Sequence, residues 1–203
     1  MKMSKLITTG IFAVALIAGS TSFAQDKMSK DKMKKEKMMM NEKTVMVGGA
    51  AMYPSKNIIE NAINSKDHTT LVAAVKAAGL VETLQSEGPF TVFAPTNSAF
   101  DKLPKGTVAT LLKPENKKQL QTVLTYHVVA GKYNAADIVK AIKDGNGTAT
   151  FPTVSGGELT AMLNGSSVVL KDENGGTSTV TIADVNQSNG VIHVVDTVVL
   201  PKS

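Results

Sequence analysis

Two stretches decide the reading of this chain: Phe90–Asp101, FTVFAPTNSAFD, and Asn189–Pro201, NGVIHVVDTVVLP, about a hundred residues apart. In the first, Phe90, Thr91, Val92, Phe93 and Ala94 follow the turn-forming Glu87-Gly88-Pro89. They carry the aromatic and β-branched content of a buried strand. Pro95 stops that strand. Thr96 or Asn97 can then cap a helical turn that carries Ala99 and Phe100 inward, with Leu103-Pro104 closing the box. The expected role is structural: a strand is forced sharply into a helix and Phe100 is plugged into the core. The second stretch sets Asn189, Gly190, His193 and Asp196 among apolar residues, and strand alternation places His193 opposite Ile192 and Val194.

Outward from these boxes the chain reads as helices first and strands later, the order of an α+β domain. Val45 to Pro54 is an extended lead-in broken by Gly48-Gly49. Asn57 caps a helix through Asn64, and Asp67 or Thr69 starts a second that Gly79 ends. Leu80 to Leu84 forms a further short helix. Leu120, Val123 and Leu124 recur at helical spacing and run into Tyr126-His127-Val128-Val129, read as a strand. Asn134 caps a helix through Ile142. Beyond Asp144-Gly145-Asn146-Gly147, turns at Asn164-Gly165 and Asn174-Gly175 separate apolar runs at Leu159–Leu163, Val168–Leu170, Val180–Ile182 and Val191–Leu200, a meander of hairpins.

The N-terminus reads as an address. Lys2 and Lys5 precede an apolar run from Leu6 to Ala18, and Ser22-Phe23-Ala24 supplies the small-x-small pattern of a signal peptidase site, so cleavage is expected near Ala24. The run is shorter than the ~20 residues that span a bilayer core, and no stable membrane insertion is expected after cleavage. Residues 25–43 form a Lys/Met-rich linker. Its Met28, Met33, Met38, Met39 and Met40 are soft-metal donors, and its lysines could meet an acidic surface, but a solvated linker is the plainer reading. Residues 44–203, about 160 in number, suffice for one domain that buries roughly two thirds of its unfolded surface. There is no Cys to staple it.

Charge excludes a nucleic-acid role. Of the formal +5, Lys2 and Lys5 supply +2 and residues 26–43 supply +3, which leaves the rest neutral. The chain also contains no Arg, the residue whose planar fork suits phosphate and guanine.

Phe90–Asp101, Tyr126-His127 and Asn189–Pro201, in that order, resemble the conserved boxes of the fasciclin-type domain, a secreted adhesion module, over roughly residues 57–201. The resemblance implies a β-sandwich or wedge of hairpin-connected strands, with several helices packed on one side and mostly in the N-terminal half. It also implies a secreted or periplasmic, non-catalytic module that binds a cell-surface or matrix protein or glycan. In the family the counterpart of His127 faces inward beside the Tyr, and the pair has been implicated in adhesion. Some animal members present an Asp-Ile receptor contact at the position of Asp184-Val185. Here Ala183 replaces the family's preceding Pro, and Val185 its Ile. Asp184 is expected to be an exposed carboxylate.

The catalytic and metal alternatives lack motifs: no G-x-S-x-G, H-E-x-x-H, P-loop or strand-linked G-x-G-x-x-G occurs. Asp172-Glu173-Asn174-Gly175-Gly176 has no downstream Glu to complete a calcium loop and reads as a hairpin turn. A zinc site would need His68, His127 and His193 to converge from distant positions. No cofactor is expected. The alternative function is a small-ligand carrier for a lipid or apolar molecule, using a cleft between helices and sheet.

Overall fold

Strand β3, Phe90–Pro95, lies parallel to β9, Gly190–Val195, in unbroken register from Phe90 opposite Gly190 to Pro95 opposite Val195. The two deciding stretches are therefore direct neighbours, joined by a crossover that contains most of the domain. This is seen in a computed structural model that describes residues 42–202, so the expected leader and residues 25–41 lie outside the described residues.

Around that seam the sheet runs β4-β3-β9-β8-β7-β6-β5. Strand β4, Val128–Ala130, is antiparallel to β3. Strands β5 (Thr148–Pro152), β6 (Glu158–Asn164), β7 (Ser167–Lys171) and β8 (Thr177–Gln187) lead to β9 by successive antiparallel pairings. The hairpin meander is as the turn residues foretell, with β5 an additional strand. Its two ends meet: Val129 bridges Thr153, and the Val154 N–H donates to the Val128 carbonyl at 2.8 Å. The sheet is thus rolled close to a barrel, which covers edges that would otherwise pair with other chains.

The lead-in is a small hairpin, β1 (Val45–Val47) and β2 (Ala50–Met52), turned by Gly48-Gly49. Helix α1, Ile58–Ala62, opens with a reciprocal capping box: Asn57 Oδ1 accepts from the Glu60 N–H, and Glu60 Oε2 accepts from the Asn57 N–H, both at 2.9 Å. Helix α2, Thr69–Ala78, stops at Gly79, whose φ of 72° is the left-handed conformation glycine tolerates best. Helices α3 (Val81–Gln85) and α4 (Asn97–Asp101) flank β3. Helix α5, Thr107–Leu111, carries no buried residue and had no sequence signal. Helices α6 (Lys117–Tyr126) and α7 (Ala135–Asp144) follow.

One expectation is corrected. Tyr126 and His127 do not open a strand: Tyr126 is the last residue of α6, His127 is its C-cap, and β4 begins at Val128. The helical spacing of Leu120, Val123 and Leu124 continues to His127, whose Nδ1 bonds the Val123 carbonyl four residues back at 2.8 Å. That local bond outweighs the β preference of the following residues.

Two apolar cores result. The first joins the N-terminal helices to one face of the sheet through Ile58, Leu71, Val75, Val92, Leu124 and Ile192. The second gathers Phe93, Tyr126, Leu159 and Val195 under Ile138 and Ile142 of α7. Strands β3 and β9 feed both cores with alternate residues and are buried on both faces, hence their near-continuous apolar sequences.

The seam leaves no room at Gly190, where a Cβ would lie 2.1 Å from the Phe90 carbonyl oxygen. Gly190→Ala must push β9 away from β3, and we expect a loss of about 3 kcal/mol in urea denaturation. A loss below about 1 kcal/mol would mean the strands are not so closely held.

Candidate functional site

The residues singled out by sequence form a chain of buried polar fastenings. Tyr126 is wholly buried; its hydroxyl donates to the Glu158 carbonyl at 2.6 Å and accepts the Glu173 N–H at 3.3 Å. Burial, helped by Glu173, Asp172 and Glu158 and opposed by the bond from the Glu173 backbone, pushes the phenol pKa up to about 12. The adjacent His127 is 3% exposed. Its Nε2 lies 3.2 Å from the Val199 N–H, which can only donate, so the proton sits on Nδ1 and is given to the Val123 carbonyl. The imidazole is therefore a neutral peg between α6 and the C-terminal segment.

His193 repeats the device in β9. Its Nδ1 accepts the Asp184 N–H at 3.3 Å, so Nε2 donates to the Tyr133 carbonyl at 2.8 Å, and the ring stacks on Phe93 at 5.7 Å. Burial lowers its pKa, against the Tyr133 carbonyl and Asp184, which raise it. Asp184 sits at an irregularity of β8 with φ 58°, within the register shift between Ile182 and Val185. The expectation of an exposed carboxylate is corrected here. The side chain is half-buried, and its Oδ1 accepts the N–H of Ala135, the first residue of α7, at 2.7 Å. A carboxylate there also favours the helix macrodipole. Val185 is 1% exposed and belongs to the first core, so its side chain offers nothing to a partner.

The remaining box residues are equally committed. Thr91 Oγ1 donates to the Gly131 carbonyl and accepts the Tyr133 N–H, at 2.8 and 2.9 Å. Thr96 caps its own helix α4 through the Ala99 N–H. Asn97 instead caps a different helix: its Oδ1 accepts the Thr70 N–H at the start of α2, and its Nδ2 donates to the Lys66 carbonyl. Asn189 accepts from the Ile58 N–H and donates to the Leu84 and Ser86 carbonyls, fastening α1 and the end of α3 to the start of β9. Asp196 accepts the Thr179 N–H at 2.8 Å and lies 3.4 Å from Lys102. Burial would raise its pKa, but the bonds from Thr179 and Thr197 and the charge of Lys102 bring it below the usual value.

Sequence reasoning did not foresee the buried roles of Asn61, Gln187 and Asp172. Asn61 bonds both backbone groups of Tyr53 and the side chain of Gln187. Asp172, in the loop that faintly resembles a calcium site, uses Oδ1 on the Asn174 and Gly176 N–H groups and Oδ2 on Leu200. Only the surrounding N–H groups identify these, since Asn, Gln and Asp between apolar runs also mark ordinary turns.

Chemically, the two box histidines are spent on the scaffold. Both ring nitrogens of His127 and of His193 are occupied, which leaves no lone pair there to take a proton from a substrate. Among the described residues no group of three His, Asp or Glu could hold a metal ion, and no helix is long and apolar enough to cross a membrane.

The same bonds make stability pH-dependent. Burial drives the His127 pKa down to about 4 from its ordinary 6.5, more than the Val123 carbonyl and Asp172 raise it. Between those values the unfolded chain binds a proton that the native chain does not, so stability is full above the upper value and falls as pH drops toward the lower. We expect His127 to account for roughly 3 kcal/mol of loss between pH 7 and 4, with His127→Gln giving a flatter profile in urea melts at each pH. Equal slopes for the two proteins would show that His127 is not the group responsible.

With this geometry in hand, comparison with known proteins places the chain. The family model described as "Fasciclin domain" matches residues 66–201. Protein sll1483 of Synechocystis sp. is 49% identical, with 79% of this chain and 82% of that protein covered. Cell surface glycolipoprotein MPB83 of Mycobacterium bovis is 35% identical over 76% of this chain and 64% of that one. Among solved structures, the FAS1 domain pair of the insect cell adhesion molecule Fasciclin I superimposes with a TM-score of 0.65 at 18% identity, covering 79% of this chain and 58% of that one. The similarity to the domain pair shows the fold, and the sequence matches show descent: this chain belongs to the fasciclin domain family.

Proposed function

We propose that the chain is an exported, non-catalytic binding module that mediates adhesion to a cell surface or extracellular matrix, through a protein or glycan partner. One observation carries this reading. The boxes are consumed in holding the scaffold, with Tyr126, His127 and His193 buried and hydrogen-bonded, so recognition falls to the outer face. The fold shared with an insect adhesion molecule and the kinship with a protein named for the cell surface point the same way. Tyr126 and His127 then serve adhesion indirectly, by keeping that face in shape. Several copies at a surface would raise avidity without new contacts.

Beads coated with residues 44–203 should attach to cells of the producing organism more than albumin-coated beads do, and soluble domain should compete. Attachment no greater than albumin's would remove the adhesion reading. Attachment that needs residues 25–43 would assign it to the Lys-rich segment instead. In the same assay Asp184→Ala separates two roles. As a partner contact it would cut attachment; as the acceptor of the Ala135 N–H alone it would cost about 1 kcal/mol of stability and leave attachment unchanged.

A further inference from the structure

An asparagine followed by glycine is open to an intramolecular reaction, because the glycine nitrogen has no adjoining side chain to hinder its approach. Deprotonated by hydroxide, that nitrogen attacks the asparagine Cγ; the Cγ–Nδ2 bond breaks, ammonia leaves, and a five-membered succinimide closes. Water then opens the ring at either carbonyl, leaving aspartate or isoaspartate. Four such pairs occur in the chain: Asn146-Gly147, Asn164-Gly165, Asn174-Gly175 and Asn189-Gly190. The fold does not leave them equally free to react.

Asn189 is buried, and its side chain bonds the Ile58 N–H and the Leu84 and Ser86 carbonyls, so reaction there requires the seam to come apart. Asn174 is held on both sides. Its Nδ2 donates to the Leu200 and Pro201 carbonyls at 3.0 and 3.1 Å, and the Gly175 N–H donates to the Asp172 carbonyl at 3.0 Å. At Asn146 the attacking nitrogen is engaged: the Gly147 N–H donates to the Ile142 carbonyl at 2.8 Å and closes the end of α7. Asn164 has none of these restraints. It is exposed, its pairing with Ser167 is the last rung between β6 and β7, and Gly165-Ser166 is the two-residue turn beyond it. Among the described residues neither the Asn164 side chain nor the Gly165 N–H has a hydrogen-bond partner. A terminal rung at a loop tip is also where a ladder opens at least cost.

We infer that Asn164 is a modification site, converting spontaneously to aspartate and isoaspartate while the domain stays folded. The fold tolerates the product. A carboxylate at this exposed position keeps its water. Isoaspartate, which lengthens the backbone by one methylene, disturbs the last rung and leaves Leu163 opposite Val168. The same change at Asn174 or Asn189 would remove bonds that hold the C-terminal segment or the seam. Conversion of Asn164 adds one negative charge to a domain that is otherwise neutral. The inference does not depend on the adhesion reading.

The test is to hold the purified protein in mildly alkaline buffer, native and in urea, and to follow each Asn-Gly peptide by mass spectrometry for the gain of an acid in place of an amide. In the native protein the Asn164 peptide should convert first. Each hydrogen bond that must break beforehand slows the reaction roughly fivefold, so Asn146 should follow about fivefold more slowly and Asn174, with three, about a hundredfold. Asn189 should convert only on global unfolding. In urea the four rates should draw together, since the sequence pair is the same in each. The converted protein, separated by anion exchange, should keep the urea midpoint of the unconverted protein. Asn164→Gln, whose side chain would have to close a larger ring, should remove the first acidic form and leave the other three sites unchanged. Another site leading in the native protein, the same order and spread of rates in urea, a lowered midpoint after conversion, or an acidic form arising at the original rate in Asn164→Gln would overturn the inference.

Discussion

Everything in this domain depends on the parallel pairing of β3 with β9. A parallel pair cannot be closed by a tight turn, so the intervening chain must travel out and return, and it supplies in passing the other strands of the same sheet and the helices from α4 to α7. The pairing has a severe steric condition at its start, where Gly190 faces the Phe90 carbonyl with no space for a side chain. It also has a polar condition: Asn189, one residue earlier, fastens α1 and α3 to the same point with three side-chain hydrogen bonds. Contacts between positions so distant in sequence are costly in chain entropy, and a seam buried on both faces, with two cores feeding on it, offsets that cost.

The histidines illustrate how buried polar groups can specify a fold without being reactive. In His127 and His193 alike, one nitrogen accepts a backbone N–H and the other donates to a backbone carbonyl. Only the neutral ring satisfies both bonds, and each ring joins elements that no apolar contact would hold in unique register. His68 differs in that one of its nitrogens bonds a side chain, the Ser65 hydroxyl, and it lines a cleft between helices and sheet.

Asp184 shows how the same residue reads differently once its surroundings are known. In sequence it is an acidic residue near a strand end; in the fold it lies within β8, in a left-handed backbone conformation that aims its carboxylate at the first N–H of α7. A bulge commonly re-aims a side chain in this way. Val185, beside it, turns into the core in consequence.

Local chemistry made much of this legible in advance. Asn57 with Glu60, Gly79 after α2, the Asn-Gly turns and the β-branched runs each act on residues within a few positions, so element type and most boundaries could be read from the chain, as could the neutral charge of residues 44–203. The Tyr126-His127 boundary failed because a helix-capping bond to Val123 and a strand preference compete over the same residues, and packing decides between them. Strand β5 and helix α5 carried no strong periodicity. What the sequence by itself determined was the set of elements and the membership of the boxes, because these follow from short-range sterics and periodicity. The parallel seam, the rolling of the sheet, and the partners of Asn97 and Asn189 were decided only by tertiary structure, because each depends on which distant backbone groups are brought within hydrogen-bonding reach.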